Sequence, residues 1–341
     1  MLHSIHHQKL APEGYIYNTY GHPKYVKHAV ASVVSLRRYD NERPVALVCV
    51  EKHKKILEEM CLDDLFDVIQ ILEPERASIV GFKHNLHEYM FFEKNMYLDS
   101  DIIWCKDPDP LWRAFEPYDF TITGTQISDN FFGGPKNLAV IKDILFQRRQ
   151  RTLDRFGLTY LSRVQTGMMY AQDYNLTKKL CELARMMLSR KQETHFRSRT
   201  LEKGRSEESC EWSLAMAMSK LNIPVYPWLQ GHNSPQLDYV REYTEHDSDF
   251  EYVKCKYYCD QVVYNFRGIQ SNWFRKLLTN LFSLFPGKGD YLYATPYCLH
   301  FGWYHEKQPF YKFAERTWNA LRKKKFKRIA QPKNRLENFI N

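Results

Sequence analysis

The sequence predicts an α/β fold: a mostly parallel sheet flanked by helices, followed by a C-terminal helical extension. Two observations carry the prediction. From residue 14 onward, short apolar runs alternate with longer amphipathic stretches. A chain of 341 residues with 44% hydrophobic content is also long enough for one large domain or two smaller ones. No internal repeat breaks the pattern.

Taken in order, strands are expected over 15–18, 45–50, 66–72, 95–98, 120–123 and 167–171. The stretch 23–38 reads as a helix, because Val26, Val30, Val33 and Val34 share one face opposite Lys24, Lys27 and Arg37. Residues 173–189 and 208–220 read the same way. The charged, apolar-poor stretch 190–206 is expected to be an exposed loop or a flap. Past Leu229 the pattern loosens, and 231–249 is polar and turn-rich. We therefore divide the chain into 1–240 and 241–341. The second part holds a strand expected over 261–266, a helix over 271–285, a segment around His300 and a basic C-terminal helix.

The formal net charge of +9 favours anionic partners. No nucleic-acid motif is present, so nucleic acid is not expected among them. The 23 Tyr, 21 Phe and 7 Trp suit stacking on sugars and bases as well as core packing. Residues 1–14 do not read as a secretory leader, and no bilayer-crossing segment is expected, because no apolar run reaches about 20 residues. The eight cysteines are scattered, Cys255 and Cys259 having no second pair at metal-site spacing. The expectation is a cytoplasmic protein, with peripheral association at the cytoplasmic membrane face. Phe274, Leu277, Leu278, Leu281 and Phe285 lie at helical spacing, and Arg322-Lys323-Lys324-Lys325-Phe326-Lys327-Arg328 is a basic run suited to an anionic membrane. A packed helix followed by a solvated tail is the competing reading.

Asp-x-Asp occurs three times, and chance alone produces such matches. Asp107-Pro108-Asp109 reads as a helix start, and Asp247-Ser248-Asp249 lies in a polar stretch. Asp99-Ser100-Asp101 differs, because it directly follows the apolar strand Asn95-Met96-Tyr97-Leu98. Ligands of open α/β sheets bind beyond the carboxyl ends of the strands. Two carboxylates at that edge suit Mg²⁺ or Mn²⁺, which share their shell with water and phosphate oxygens. Such a metal neutralises charge on a departing diphosphate.

With these residues the chain resembles the GT-A glycosyltransferases, and within them the glycogenin-like and galactosyltransferase-like group. Tyr15-Ile16-Tyr17-Asn18-Thr19, with Tyr20 after it, is similar to the family's first strand, whose end meets the nucleotide. Gly81-Phe82-Lys83 and Tyr97-Leu98-Asp99-Ser100-Asp101 resemble its basic residue and metal motif. Val164-Gln165-Thr166-Gly167-Met168-Met169 resembles its amide–hydroxyl–glycine segment, and Glu211 matches its acidic position, with Trp212 where the family has an amide. His300-Phe301-Gly302, then Lys307 and Pro309, resembles its histidine–glycine–lysine–proline segment with shifted spacing.

The resemblance implies Asp99, Asp101 and His300 as metal ligands. It implies Asn18, Thr19, Tyr20, Lys83, Asp99, Ser100, Asp101 and Lys307 on the donor, and Glu211 and Gln165 as catalytic groups. The implied activity is metal-dependent sugar transfer, of the hexosyltransferase type, from a nucleotide-diphosphate donor, UDP-sugar being the family's usual choice. The acceptor would be a glycan or lipid-linked, as in polysaccharide biosynthesis, with retention as the expected course. If the transfer proceeded with inversion, Glu207, Glu208 and Glu211 would be candidate bases. Two other readings compete. A non-catalytic module binding a sugar nucleotide or glycan would show no donor turnover. A haloacid-dehalogenase-like phosphatase would use the first Asp as nucleophile, but that fold carries its pair on the first strand.

Overall fold

The computed structural model describes residues 9–134, 139–201, 206–258, 260–285 and 291–323. The chain runs through β1 (Glu13–Thr19), α1 (Lys24–Leu36), β2 (Val45–Cys49), α2 (Glu51–Met60), β3 (Val68–Ile71) and α3 (Ile79–Lys83). Next come β4 (Lys94–Leu98), β5 (Ile102–Trp104), α4 (Asp109–Phe115), β6 (Phe120–Thr125), α5 (Ala139–Leu145), α6 (Arg148–Phe156) and β7 (Arg163–Ala171). After α7 (Tyr174–Ser189) and α8 (Glu211–Leu221) come the short strands β8 (Tyr226–Pro227), β9 (Gln236–Asp238) and β10 (Thr244–His246). The remainder is β11 (Val253–Tyr258), α9 (Gln261–Asn265), α10 (Asn272–Ser283), β12 (Tyr291–Ala294), β13 (Cys298–His300) and α11 (Gln308–Lys323).

The main sheet has the order β3-β2-β1-β4-β7-β6-β8. β1 lies parallel to β2 and β4, as β2 does to β3 and β6 to β8. β7 alone is reversed, antiparallel to both β4 and β6. β2 is buried along its whole length and reads as an unbroken apolar run, as a strand covered on both faces must. Its period-two alternation divides the core: Ala46 and Val48 pack towards one face, Val45, Leu47 and Cys49 towards the other. α7 and α8 cover the first face through Leu180, Ala184, Leu214 and Met218; α1 and α4 cover the second through Val30, Val33, Leu111 and Phe115.

The reversal of β7 shapes the edge of the sheet at which β4 ends. Parallel strands deliver their carboxyl ends to one edge, and an antiparallel strand between them delivers its start to that same edge. Leu98, the last residue of β4, pairs with Met168, so the first half of β7 runs on beyond the end of β4. A second, three-stranded sheet, β5-β13-β9, continues from the turn after β4. In it His300 pairs with Ile102 on one side and Asp238 on the other.

Three expectations need correction. Residues 261–266 form helix α9 and a tight turn after it, not a strand. The Asp260 side chain accepts from Val262 N at 2.8 Å, an N-cap that outweighs the β propensity of Val262 and Val263. The stretch 231–249 is not only turns, since it supplies β9 and β10. The charged segment 190–201 is no loose flap: Phe196 is buried and stacks on Trp212 with ring centroids 4.9 Å apart. Glu208 ties that segment down, accepting from Lys191, Ser198 and the Arg199 amide. Residues 202–205, Cys259 and the basic run beyond Lys323 lie outside the described residues.

Two buried histidines make the fold acid-sensitive. Burial holds His28 and His84 down to about 4, against an ordinary value of about 6.5. His28 is wedged between α1 and α11, stacked on Tyr311 and edge-on to Phe310. His84 Nε2 meets the Ser213 hydroxyl at 3.0 Å. Both are neutral when folded, so between pH 6.5 and 4 the unfolded chain binds protons that the native chain does not. Their stabilising contribution is complete above pH 6.5 and is lost as the pH falls towards 4, by up to about 3 kcal/mol each. The melting temperature, measured by circular dichroism from pH 7 to 4.5, should drop steeply; a flat profile would mean that both imidazoles are charged in the fold.

Candidate active site

Asp99-Ser100-Asp101 is the turn where the main sheet hands over to the small one. The Asp99 amide donates to Gly167 O at 3.0 Å, prolonging the β4–β7 ladder, and the Phe301 amide donates to Asp101 O at 2.9 Å. Backbone bonds to two sheets therefore hold both acidic residues. His300 Nε2 lies 3.7 Å from Asp99 Oδ2 and 3.6 Å from Asp101 Oδ1. One ligand atom from each of the three falls within 4.8 Å of the others. A cation with oxygen ligands at about 2.1 Å has neighbouring ligands about 3 Å apart, so only a small closure of the cluster would be needed.

His300 is aimed by its other nitrogen. Its Nδ1 donates to Asp238 Oδ1 at 2.8 Å, and the Asp238 side chain has no exposed surface. This fixes the tautomer that leaves the Nε2 lone pair facing Asp99 and Asp101, an arrangement typical of metal-binding histidines. Gln165 Nε2 donates to the same Asp238 oxygen. A Cβ at Gly167 would come 3.2 Å from His300 Nε2, and one at Gly302 would come 2.7 Å from His300 Cε1. The two glycines thus leave room around the imidazole. Gln165 Oε1 and Gln236 Oε1 are buried acceptors with no partner among the described residues. Orphaned oxygens beside two carboxylates and an imidazole lone pair suit a hard divalent cation or its waters.

Two lysines neutralise the pair. Lys83 Nζ donates to Asp99 Oδ1 at 2.6 Å, to Thr166 O at 2.8 Å and to Thr166 Oγ1 at 3.1 Å. It reaches them from the end of α3, whose start is capped by the Ser78 hydroxyl accepting from Gly81 N. Lys307 Nζ donates to Asp101 Oδ2. Burial works to raise both carboxyls, yet Lys83 holds Asp99, and Lys307 holds Asp101, below the usual carboxylate range.

The other expected residues make contacts of their own. Asn18 Nδ2 donates to Val48 O at 2.9 Å, and the buried Thr19 hydroxyl is turned to His53 Nδ1 at 3.1 Å. Tyr20 donates to Glu207 Oε2 at 3.0 Å, and the Ile79 amide donates to the same oxygen at 2.8 Å. Ser100 is buried at the tip of the turn. Glu211 opens α8, close enough that its charge helps keep Lys83 protonated. Trp212, in the amide's position, is a packing residue under Phe196.

Sequence reasoning missed Gln236 and Asp238. Both are buried, and Gln236 Nε2 donates to Thr123 Oγ1 at 2.6 Å. The only signal was two polar residues at strand spacing around Leu237, the i, i+2 positions of one face.

By sequence, no family model and no curated protein matches the chain. Comparison of structures gives a different answer. An active-site mutant of LgtC superposes with a TM-score of 0.50 at 11% identity, covering 91% of this chain and 94% of that one. The chain has the GT-A fold. The galactosyltransferase LgtC with donor and acceptor sugar analogues gives 0.47 at 12% identity over 91% and 95% of the two chains. The glycosyltransferase GlyE of Streptococcus pneumoniae TIGR4 gives 0.46 at 10%, over 92% of this chain and 63% of that one. The Asp99–Asp101 turn lies at the carboxyl edge of β4 in this sheet.

Proposed function

We propose that the chain is a metal-dependent glycosyltransferase, taking a sugar from a nucleotide-diphosphate donor, UDP-sugar before others, to a glycan or lipid-linked acceptor. The observation that carries the reading is the cluster of Asp99, Asp101 and Asp238-oriented His300 at the strand edge, with two lysines against it. Fold alone does not carry it, since one fold hosts many chemistries.

Asp99, Asp101 and His300 would hold Mn²⁺ or Mg²⁺, which when bound supplies Lewis-acid neutralisation of the leaving diphosphate. Lys83 and Lys307 sit on the carboxylates by default; a dication there would free both ammonium groups to face the diphosphate. Asn18, Thr19, Tyr20 and Ser100 would border the nucleotide. Gln165, its Oε1 unpartnered, can accept from a sugar hydroxyl.

Retention is favoured over inversion by the engagement of two candidate bases. Glu207 is taken by Tyr20 and Ile79, and Glu208 by Lys191 and Ser198. Of the three, Glu211 remains, and we assign it to positioning the donor sugar and acceptor. An anionic membrane surface at the cytoplasmic face is where a lipid-linked acceptor would be met.

The test is a screen of nucleotide sugars for donor hydrolysis with and without a chelator, beside calorimetric titration of UDP. Hydrolysis should require Mn²⁺ or Mg²⁺. UDP should bind about tenfold more tightly with Mn²⁺ present, a difference of about 1.4 kcal/mol. Hydrolysis that survives chelation would exclude the metal mechanism, and binding without any turnover would favour the non-catalytic reading.

A further inference from the structure

Helix α10 is built inside out. Its buried side chains are Arg275 and Thr279, one turn apart on the same face. Leu278 and Phe282 are half-buried beside them, but the other apolar residues point the other way: Trp273 is 72% exposed and Leu281 49%, with Phe274 and Leu277 on the same side. Leu284 and Phe285, just past the helix end, continue the stripe at 79% and 61% exposure. An amphipathic helix on a globular protein normally turns such a stripe to the core.

The orientation is enforced from below. Arg275 is wholly buried and paired with Glu242 and Glu306, the latter at 2.9 Å, and it donates to Ile269 O at 2.9 Å. The Thr279 hydroxyl meets that of Tyr243. Turning the helix over to bury Trp273 and Leu281 would expose those ion pairs and leave Glu242 and Glu306 without their cation. The outward apolar face is therefore imposed by the polar core beneath it.

The surroundings identify a covering partner. Tyr291, Leu292 and Tyr293 of β12 are also exposed, and β12 connects to α10 through Tyr258 and Tyr243. No Asp or Glu occurs from residue 261 to 289, whereas Lys276 lies on the helix itself. Lys256 sits 3.9 Å over the Tyr291 ring, and Lys254 stands over Tyr252. Glu245 on β10 is the acidic group that faces Tyr293. Among the described residues no helix is long and apolar enough to cross a membrane. An apolar stripe with Trp, Tyr and Phe, fringed by lysines and free of acids along the helix, matches the interfacial layer of an anionic bilayer.

We propose that α10, with Leu284, Phe285 and β12, is the surface by which this protein docks in the plane of an anionic membrane. Lys324, Lys325, Lys327 and Arg328 follow α11 in the sequence, and their charge is a separate source of attraction to anionic lipid that the experiment isolates. That docking serves catalysis rests on the transferase reading above; the docking itself does not.

The experiment is flotation of the full chain with vesicles of phosphatidylcholine alone or mixed with phosphatidylglycerol. The chain should float with the mixed vesicles only, and Trp273→Glu/Leu281→Glu should reduce the bound fraction by roughly tenfold or more. Both substituted positions are exposed, so the double variant should keep the wild-type melting temperature and donor hydrolysis. Removal of residues 324–341 should weaken binding without abolishing it. The proposal is overturned if the double variant floats like wild type, if removing 324–341 alone abolishes binding, or if wild type is a dimer in solution that the double variant converts to monomer.

Discussion

Asp101→Asn should lower donor turnover by about a thousandfold or more, equivalent to about 4 kcal/mol of transition-state stabilisation. The amide keeps the shape of the carboxylate and removes one full charge from the side of the cluster facing His300 Nε2, 3.6 Å away. It also deprives Lys307 of its anion, so a modest loss of stability should accompany the loss of activity. His300→Ala makes the comparison informative, because the imidazole would touch the metal and not the nucleotide. It should weaken Mn²⁺ about ten- to a hundredfold while leaving metal-free UDP binding nearly unchanged. Turnover by Asp101→Asn at the wild-type rate would remove the acidic pair from the chemistry. A silent His300→Ala alone would leave the pair standing and return His300 to a structural role.

The largest expected loss of stability comes from Arg275→Ala, about 3–5 kcal/mol in urea denaturation. The guanidinium bridges Glu242 and Glu306, whose side chains are nearly as buried as its own. Truncation would leave two carboxylates under α10 with no cation. Arg275→Lys should recover only part of the loss, since one ammonium cannot reproduce the forked contact to both acids and to Ile269 O. A loss below about 1 kcal/mol would show that water reaches the cluster and that the orientation of α10 is not set by it.

The legible parts of the sequence were those where one segment's own pattern decides its structure. The unbroken apolar run of β2, the valine stripe of α1 and the acidic pair closing β4 are local signals, and each was readable. Asp99, Asp101, His300 and Lys307 could be nominated together only because a resemblance supplied the pairing of distant segments. The failures share a cause. At 261–266 a single capping carboxylate overrode β-branched residues, and at 190–201 the charges that suggested a loose loop are consumed by Glu208 and Glu193.

By itself, then, the sequence determined the strand and helix periodicity, the excess of positive charge and the presence of two carboxylates at a strand end. The tertiary structure decided which partners those groups meet. Asp238 lies 62 positions before His300 and Lys83 lies 83 before Thr166, and no local pattern encodes such pairings. They arise because an antiparallel β7 and a second sheet bring strand ends from distant parts of the chain to one edge. The same holds for α10, whose stripe reads as core in one dimension. Only the buried Arg275 and its two carboxylates turn that stripe outward, because exposing apolar surface costs less there than stranding the buried charges.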